Sequence, residues 1–144
     1  MLRYFEGFRV GEVHELGSYS VSAEEIVRFA RRYDPQPQHL PAPDGTLYNL
    51  VASGWHVAGM YMRLYVNSVA RNTAMDVSPG VEQLRWLRPV RAGNVLSGRM
   101  TVIGTSVSLS RPDYGILHQR GELSDETGSQ VMRFTFYSLI RRRP

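Results

Sequence analysis

Residues 53–72, SGWHVAGMYMRLYVNSVARN, contain no Asp or Glu and are apolar or small on most sides. As a helix of about five turns, such a stretch is expected to be mostly buried. The second half of the chain supplies the cover. Beyond Gly80 it reads VEQLRWLRPV, NVLSGRMTVIG, YGILHQRGEL and QVMRFTFYSLIRRR, separated by the turn-forming RAGN, SRPDYG and SDETGS. Leu96, Gly98, Met100 and Val102 alternate with Ser97, Arg99 and Thr101, the pattern of an antiparallel strand wet on one face. A helix-rich half precedes a strand-rich half. The expected architecture is α+β, an antiparallel sheet curled around one long apolar helix.

Nothing divides the chain further. At 144 residues, without repeat, low-complexity tract or linker, residues 1–144 are expected to form a single domain. Apolar residues at 42% and charged residues at 21% exclude a disordered or fibrous chain. With no cysteine, disulfides, thiolate nucleophiles and zinc-thiolate sites are excluded together. All 17 basic residues are Arg, so lysine chemistry is excluded too, while guanidinium forks remain for phosphate or carboxylate. The first residues, MLRYFEGFRVGEV, lack an apolar signal core and no window reaches membrane-spanning length, which leads us to expect a cytoplasmic protein away from membranes.

In the first half, VHELGSYSV has strand character and leads into VSAEEIVRFARRYD. Ser22 and Glu25 form a capping box flanked by Val21 and Ile26, and Ile26, Phe29, Ala30 and Tyr33 share one helical face. Pro35 drives Asp34 out of the α region, so the helix ends near Tyr33. The next segment, Asp34-Pro35-Gln36-Pro37-Gln38-His39, sets a carboxylate and an imidazole five positions apart across two prolines. Asp and Pro are ordinary punctuation after a helix. A stiff link between an acid and a base also fixes a gap. Residues 35–50 are otherwise loop, with a turn at Pro43-Asp44-Gly45, and Ser53 is placed to cap the buried helix.

Other chemistry finds little support. Four scattered histidines without H-x-x-x-H spacing give no metal site, and S-G-W-H is not a G-x-S-x-G elbow. Arg85, Arg88 and Arg91 surround Trp86, but strand alternation places Arg85 and Arg91 on one face and Arg88 on the other, so no basic stripe for nucleic acid is expected. His56 reads as a polar packing residue, with a dyad to Asp34 as the other reading.

Taken together, YFEGFRVGEVHELGSYSVSAEEIVRFARRYDPQPQHL, LVASGWH and LRWLRPVRAGN resemble the MaoC-like dehydratases, single-domain relatives of the (R)-specific enoyl-CoA hydratases. The resemblance spans nearly the whole chain. Its most specific part is the hydratase loop, of family form D-x-N-P-x-H, in which Asp34, Pro37 and His39 keep their spacing and Gln36 replaces the commoner Asn. It implies a hotdog fold, a homodimer, and reversible hydration or dehydration of an acyl-CoA thioester with no metal or redox cofactor. It assigns Asp34 and His39 as the acid/base pair and the Gly54 N–H as oxyanion donor, with Gln36, Ser53 and Arg88 on the substrate side. The chemistry is coherent: hydration needs a proton taken from water and one delivered to carbon, and the charge developing on the thioester oxygen suits a helix N-terminus. The plainer reading of Gly54 is close helix packing.

Two departures concern the pocket. Residues 40–52 are shorter than in many relatives, which implies that the helix overhanging the acyl pocket is reduced or absent. Met62 stands where the well-known hydratases have Ser. Both leave open a catalytically silent acyl-CoA-binding module or a subunit of a heteromeric hydratase. A hotdog thioesterase, which by family analogy uses an acidic residue on the central helix, is disfavoured because residues 53–71 contain none.

Overall fold

The chain was described with a computed structural model that covers all 144 residues. Strand β1, Val13–Ser20, leads into helix α1, Ala23–Tyr33, and helix α2, Gly54–Ser68, precedes four strands: β2, Gly80–Trp86; β3, Val95–Val107; β4, Tyr114–Ser124; and β5, Gln130–Arg141. All five strands form one antiparallel sheet in the order β1-β3-β4-β5-β2. Every strand expected from alternation is present. α1 ends where Pro35 requires, with Asp34 as its C-cap at φ −151°, and Ser22 Oγ caps its start by accepting from the Glu25 N–H.

The sheet curls over α2. Val57, Met60, Tyr61, Leu64 and Tyr65 recur at helical spacing and are buried against Leu96, Met100, Leu117, Leu123 and Phe136. Truncating one of the larger side chains here, as in Leu64→Ala, costs about 2–5 kcal/mol. A Cβ on Gly121 would lie 2.5 Å from Phe134 and 2.9 Å from Tyr61, so only glycine lets β4 pass this close to the helix. Both tyrosine hydroxyls of this helix are matched: that of Tyr61 donates to the Arg99 carbonyl at 3.0 Å, and that of Tyr65 donates to fully buried Gln119. Irregularities at Glu15/Gly17, Glu82/Arg85, Val102/Gly104 and Leu123/Ser124 strengthen the twist that curls the sheet.

Three local expectations differ from what is observed. α2 stops at Ser68 because Val69 leaves helical geometry (φ −124°, ψ −57°), and residues 70–72 continue only as a 3-10 turn. β2 ends at Trp86, and its register shifts between Glu82 and Arg85 around Gln83 at φ +52°. Simple alternation over residues 85–91 therefore fails: Arg88 and Arg91 lie beyond the strand. Ser53 makes no side-chain cap to α2; its hydroxyl is engaged elsewhere. The expected loss of an overhanging helix holds, since no α-helix intervenes between Tyr33 and Gly54. No helix is long and apolar enough to cross a membrane.

Candidate active site

Three irregular segments meet at the N-terminus of α2. The loop after α1 turns through a 3-10 helix at Pro37–His39, with Pro37 at its first position and the His39 N–H closing onto the Gln36 carbonyl at 3.0 Å. The segment entering α2 is bonded on both sides: the Val51 N–H donates to the Gln38 carbonyl at 2.9 Å and the Ala52 N–H to that of Val90 at 2.8 Å. Proline stiffness and these two bonds fix the loop relative to the helix.

Within that frame the residues of the Asp34–His39 loop converge. His39 is 7% exposed and its Nδ1 lies 2.5 Å from the Val51 carbonyl. A carbonyl only accepts, so Nδ1 carries the proton and Nε2 is left facing Asp34 Oδ2 at 3.3 Å. Asp34 Oδ1 accepts from Gln36 Nε2 at 2.5 Å, and Oδ2 accepts from Ser53 Oγ at 2.7 Å. Those donors, Gln36 first and Ser53 next, hold the Asp34 carboxyl below its usual range, with a smaller contribution from the His39 charge, against the opposing effect of partial burial. Ser53 is 1% exposed. Its hydroxyl proton is committed to Asp34, which makes it a residue that positions the acid.

Gly54 is the next residue along. Its N–H, the first of α2, has no acceptor in the chain. Across it lies Trp86, whose Nε1–H donates to the Gly54 carbonyl at 2.8 Å, and a Cβ at position 54 would meet the indole at 2.6 Å. Trp55 packs edge-on against Trp86 with ring centroids 5.2 Å apart. Asp34, Ser53, Gly54, Trp55, Trp86 and Arg88 line a cleft of about 380 Å3. The structure therefore brings Asp34, His39, Gln36, Ser53 and Gly54 together. Arg88 stands on the rim and bonds none of them. His56 points elsewhere: its Nε2 is 3.5 Å from Glu25 Oε1 and its ring stacks on Phe29, so no dyad with Asp34 forms.

Sequence reasoning missed Trp86 as a wall of the site and the Val51 carbonyl as the group that orients His39. Trp86 was visible only as an aromatic beside Arg88, and nothing local says what a backbone carbonyl 12 residues away will accept.

A curled antiparallel sheet around a buried helix, with an Asp/His loop at the helix N-terminus, defines a hotdog-fold protein. The chain belongs to the MaoC-like domain family, whose profile matches residues 9–114. Its structure is similar to the crystal structure of the MaoC-like dehydratase from Rhodospirillum rubrum, with a TM-score of 0.85, 34% identity and coverage of 99% of both chains. In sequence it is similar to YdeM of Bacillus subtilis, 26% identical over 86 residues, and to mesaconyl-CoA hydratase of Haloarcula marismortui, 38% identical over 65 residues. Those alignments cover 58% and 44% of this chain, and 61% and 18% of the two relatives' own lengths.

Proposed function

We propose that this chain catalyses the reversible addition of water to an α,β-unsaturated acyl-CoA thioester, giving the 3-hydroxyacyl thioester, a hydro-lyase reaction. The observation that carries the reading is the His39–Asp34 pair: the Nδ1–H of His39 is tied to Val51 and its Nε2 lies 3.3 Å from a carboxylate oxygen, so that both atoms are acceptors in the form of the pair that takes up a proton. Two acceptors at that separation repel each other. A water molecule, with two protons, satisfies both and is thereby oriented.

Each step uses one of those atoms. Nε2 of His39 takes a proton as the water oxygen bonds to the β-carbon, and Asp34 stabilises the imidazolium that forms. Electron density moves to the thioester oxygen, where the free Gly54 N–H and the α2 dipole receive it. Return of the proton to the α-carbon completes hydration, and the reverse sequence is dehydration. Gln36 and Ser53 keep Asp34 ionised and aimed. Arg88, on the rim of the cleft, suits the phosphates of the coenzyme A portion.

The reading includes a homodimer. Trp55, Gly59, Met62 and Val66 form an exposed stripe along α2, with Trp55 63%, Met62 45% and Val66 39% exposed. A second copy covers this apolar face, and sedimentation at micromolar concentration is expected to show twice the mass of 16.4 kDa.

The absence of a helix over the cleft favours a second reading, an acyl-CoA-binding module without turnover. One experiment separates them: purified protein is mixed with trans-2-enoyl-CoAs of several chain lengths, and loss of the conjugated enoyl absorbance is monitored. Turnover is expected, with Asp34→Asn and His39→Ala each lowering it at least about a hundredfold in folded protein. Binding without absorbance loss at any chain length identifies the silent module. A rate near wild type in either variant rejects the mechanism.

A further inference from the structure

A second cleft, of about 580 Å3, lies apart from the candidate active site. It lies on the outer face of the sheet, on the other side of edge strand β2. Successive strand residues point to opposite faces, so Trp86 closes the catalytic cleft while its neighbour Arg85 enters the outer one.

Three arginines line it, Arg85, Arg120 and Arg133. Arg85 and Arg133 are directly opposed across the β2–β5 ladder, and Arg120, opposite Thr135, is on the diagonal from Arg133. Like charges directly opposite in a sheet destabilise it. Elsewhere in this protein several arginines are paired with acids: Arg99 with Glu15 at 2.9 Å, Arg111 with Asp76 at 3.0 Å, Arg142 with Glu6 at 3.3 Å. In the outer cleft they are not. Glu122 is opposite Arg133, yet its carboxylate accepts from Gln130 Nε2 at 2.5 Å and forms an ion pair with none of the three. Gln83, in its left-handed conformation at the β2 bulge, puts one more amide on the rim.

We propose that this cleft is a binding site for a phosphate-class dianion or polyanion, held by Arg85, Arg120 and Arg133 in forked contacts. The arrangement fits such a ligand because guanidinium groups chelate phosphate oxygens in pairs, and because a bound anion removes the repulsion that the free sheet carries. Two sources share this chemistry: a free inorganic or nucleotide anion, and the phosphorylated nucleotide of a coenzyme A thioester reaching over the sheet edge.

Titration calorimetry of the whole protein with inorganic diphosphate in about 100 mM NaCl is expected to give saturable binding. Arg133→Gln should weaken it at least tenfold, whereas Arg32→Gln, the same charge change on exposed α1, should leave it within twofold. Without anion, Arg133→Gln should raise Tm by about 1–3 °C, because it removes a like-charge pair. Absence of saturable binding, equal weakening by Arg32→Gln, or a lower Tm of Arg133→Gln each overturns the site. The source is read from turnover. A raised KM for enoyl-CoA with unchanged KM for the N-acetylcysteamine thioester, which lacks the nucleotide, identifies coenzyme A. Unchanged KM for both, with diphosphate binding lost, identifies a free anion. If the hydratase reading fails, the calorimetry and the melting shift still decide whether the site exists.

Discussion

The Trp86 indole rests on the Cα of Gly54, with its Nε1–H donating to the Gly54 carbonyl at 2.8 Å and no space for a Cβ beneath it. Gly54 thus has two separable properties: the close packing that a missing side chain permits, and an N–H with no acceptor in the protein. The two expectations for this residue, packing and oxyanion donation, are compatible. They call for different substitutions.

Gly54→Ala keeps the N–H and pushes the indole away, so it is expected to cost about 1–3 kcal/mol of stability as an overpacked site and to shift the fluorescence of the two tryptophans, both of which line the cleft. Gly54→Pro also adds a Cβ against Trp86 and cannot isolate the donor. Replacing the 53–54 amide by an ester does. The ester removes the N–H, adds no atom under Trp86, and weakens only the Ser53 carbonyl that accepts from the Val57 N–H at 3.0 Å. That loss is about 0.5–1.5 kcal/mol. Turnover is expected to fall about a hundredfold to a thousandfold with acyl-CoA binding retained. A normal kcat in the folded ester protein leaves Gly54 with packing alone.

The Asp34 carboxyl is held below 3.8 by Gln36 and Ser53. A depressed value means that the stabilising bonds of the carboxylate are present above the unfolded value and are lost as pH falls through the lower, folded one. Between pH 5 and 9 Asp34 stays ionised, and any low-pH limb of activity that it sets lies below about pH 4. Ser53→Ala deletes the 2.7 Å donor. The limb is expected to move to higher pH and kcat to fall about tenfold. Superimposable pH–rate profiles of variant and wild type would show that this bond does not tune the acid.

How much of this was legible in the sequence depends on the range of the interaction. The ends of α1 were, because Ser22, Glu25, Asp34 and Pro35 act within four residues, and the strands were, because alternation in residues 95–102 is a local record of one dry face. The Asp34–His39 gap was legible as spacing and as resemblance. What was hidden is set by tertiary approach: Ser53 turning from a helix cap to Asp34, 19 residues away, and Trp86 reaching Gly54 across 32. The bulge at Gln83 was hidden too, since a glutamine at positive φ leaves no compositional mark, as was the end of β2 at Trp86, which leaves Arg88 and Arg91 beyond the strand.

His56 offers a test that stability rather than turnover answers. Burial holds its imidazole below 6.5, with Glu25 at 3.5 Å opposing only in part, and its Nδ1 is buried without a partner. Below pH 6.5 the unfolded chain therefore binds a proton that the folded protein resists. Stability contributed by the neutral ring is complete above pH 6.5 and is lost as pH falls through the lower, folded value. His56→Phe keeps an aromatic ring stacked on Phe29, at 4.8 Å in the native protein, and removes both the titrating group and the orphaned nitrogen. At pH 7 its stability should lie within about 1.5 kcal/mol of wild type, as for other volume-conserving core exchanges. Between pH 6.5 and 5 it should lose less stability than wild type, by up to about 1.4 kcal/mol per pH unit. Urea unfolding of both proteins at pH 5.0, 6.0 and 7.0 measures this directly, as the difference between them. Parallel pH dependences would mean that the folded protein binds this proton as readily as the unfolded chain, with Glu25 offsetting the effect of burial in full.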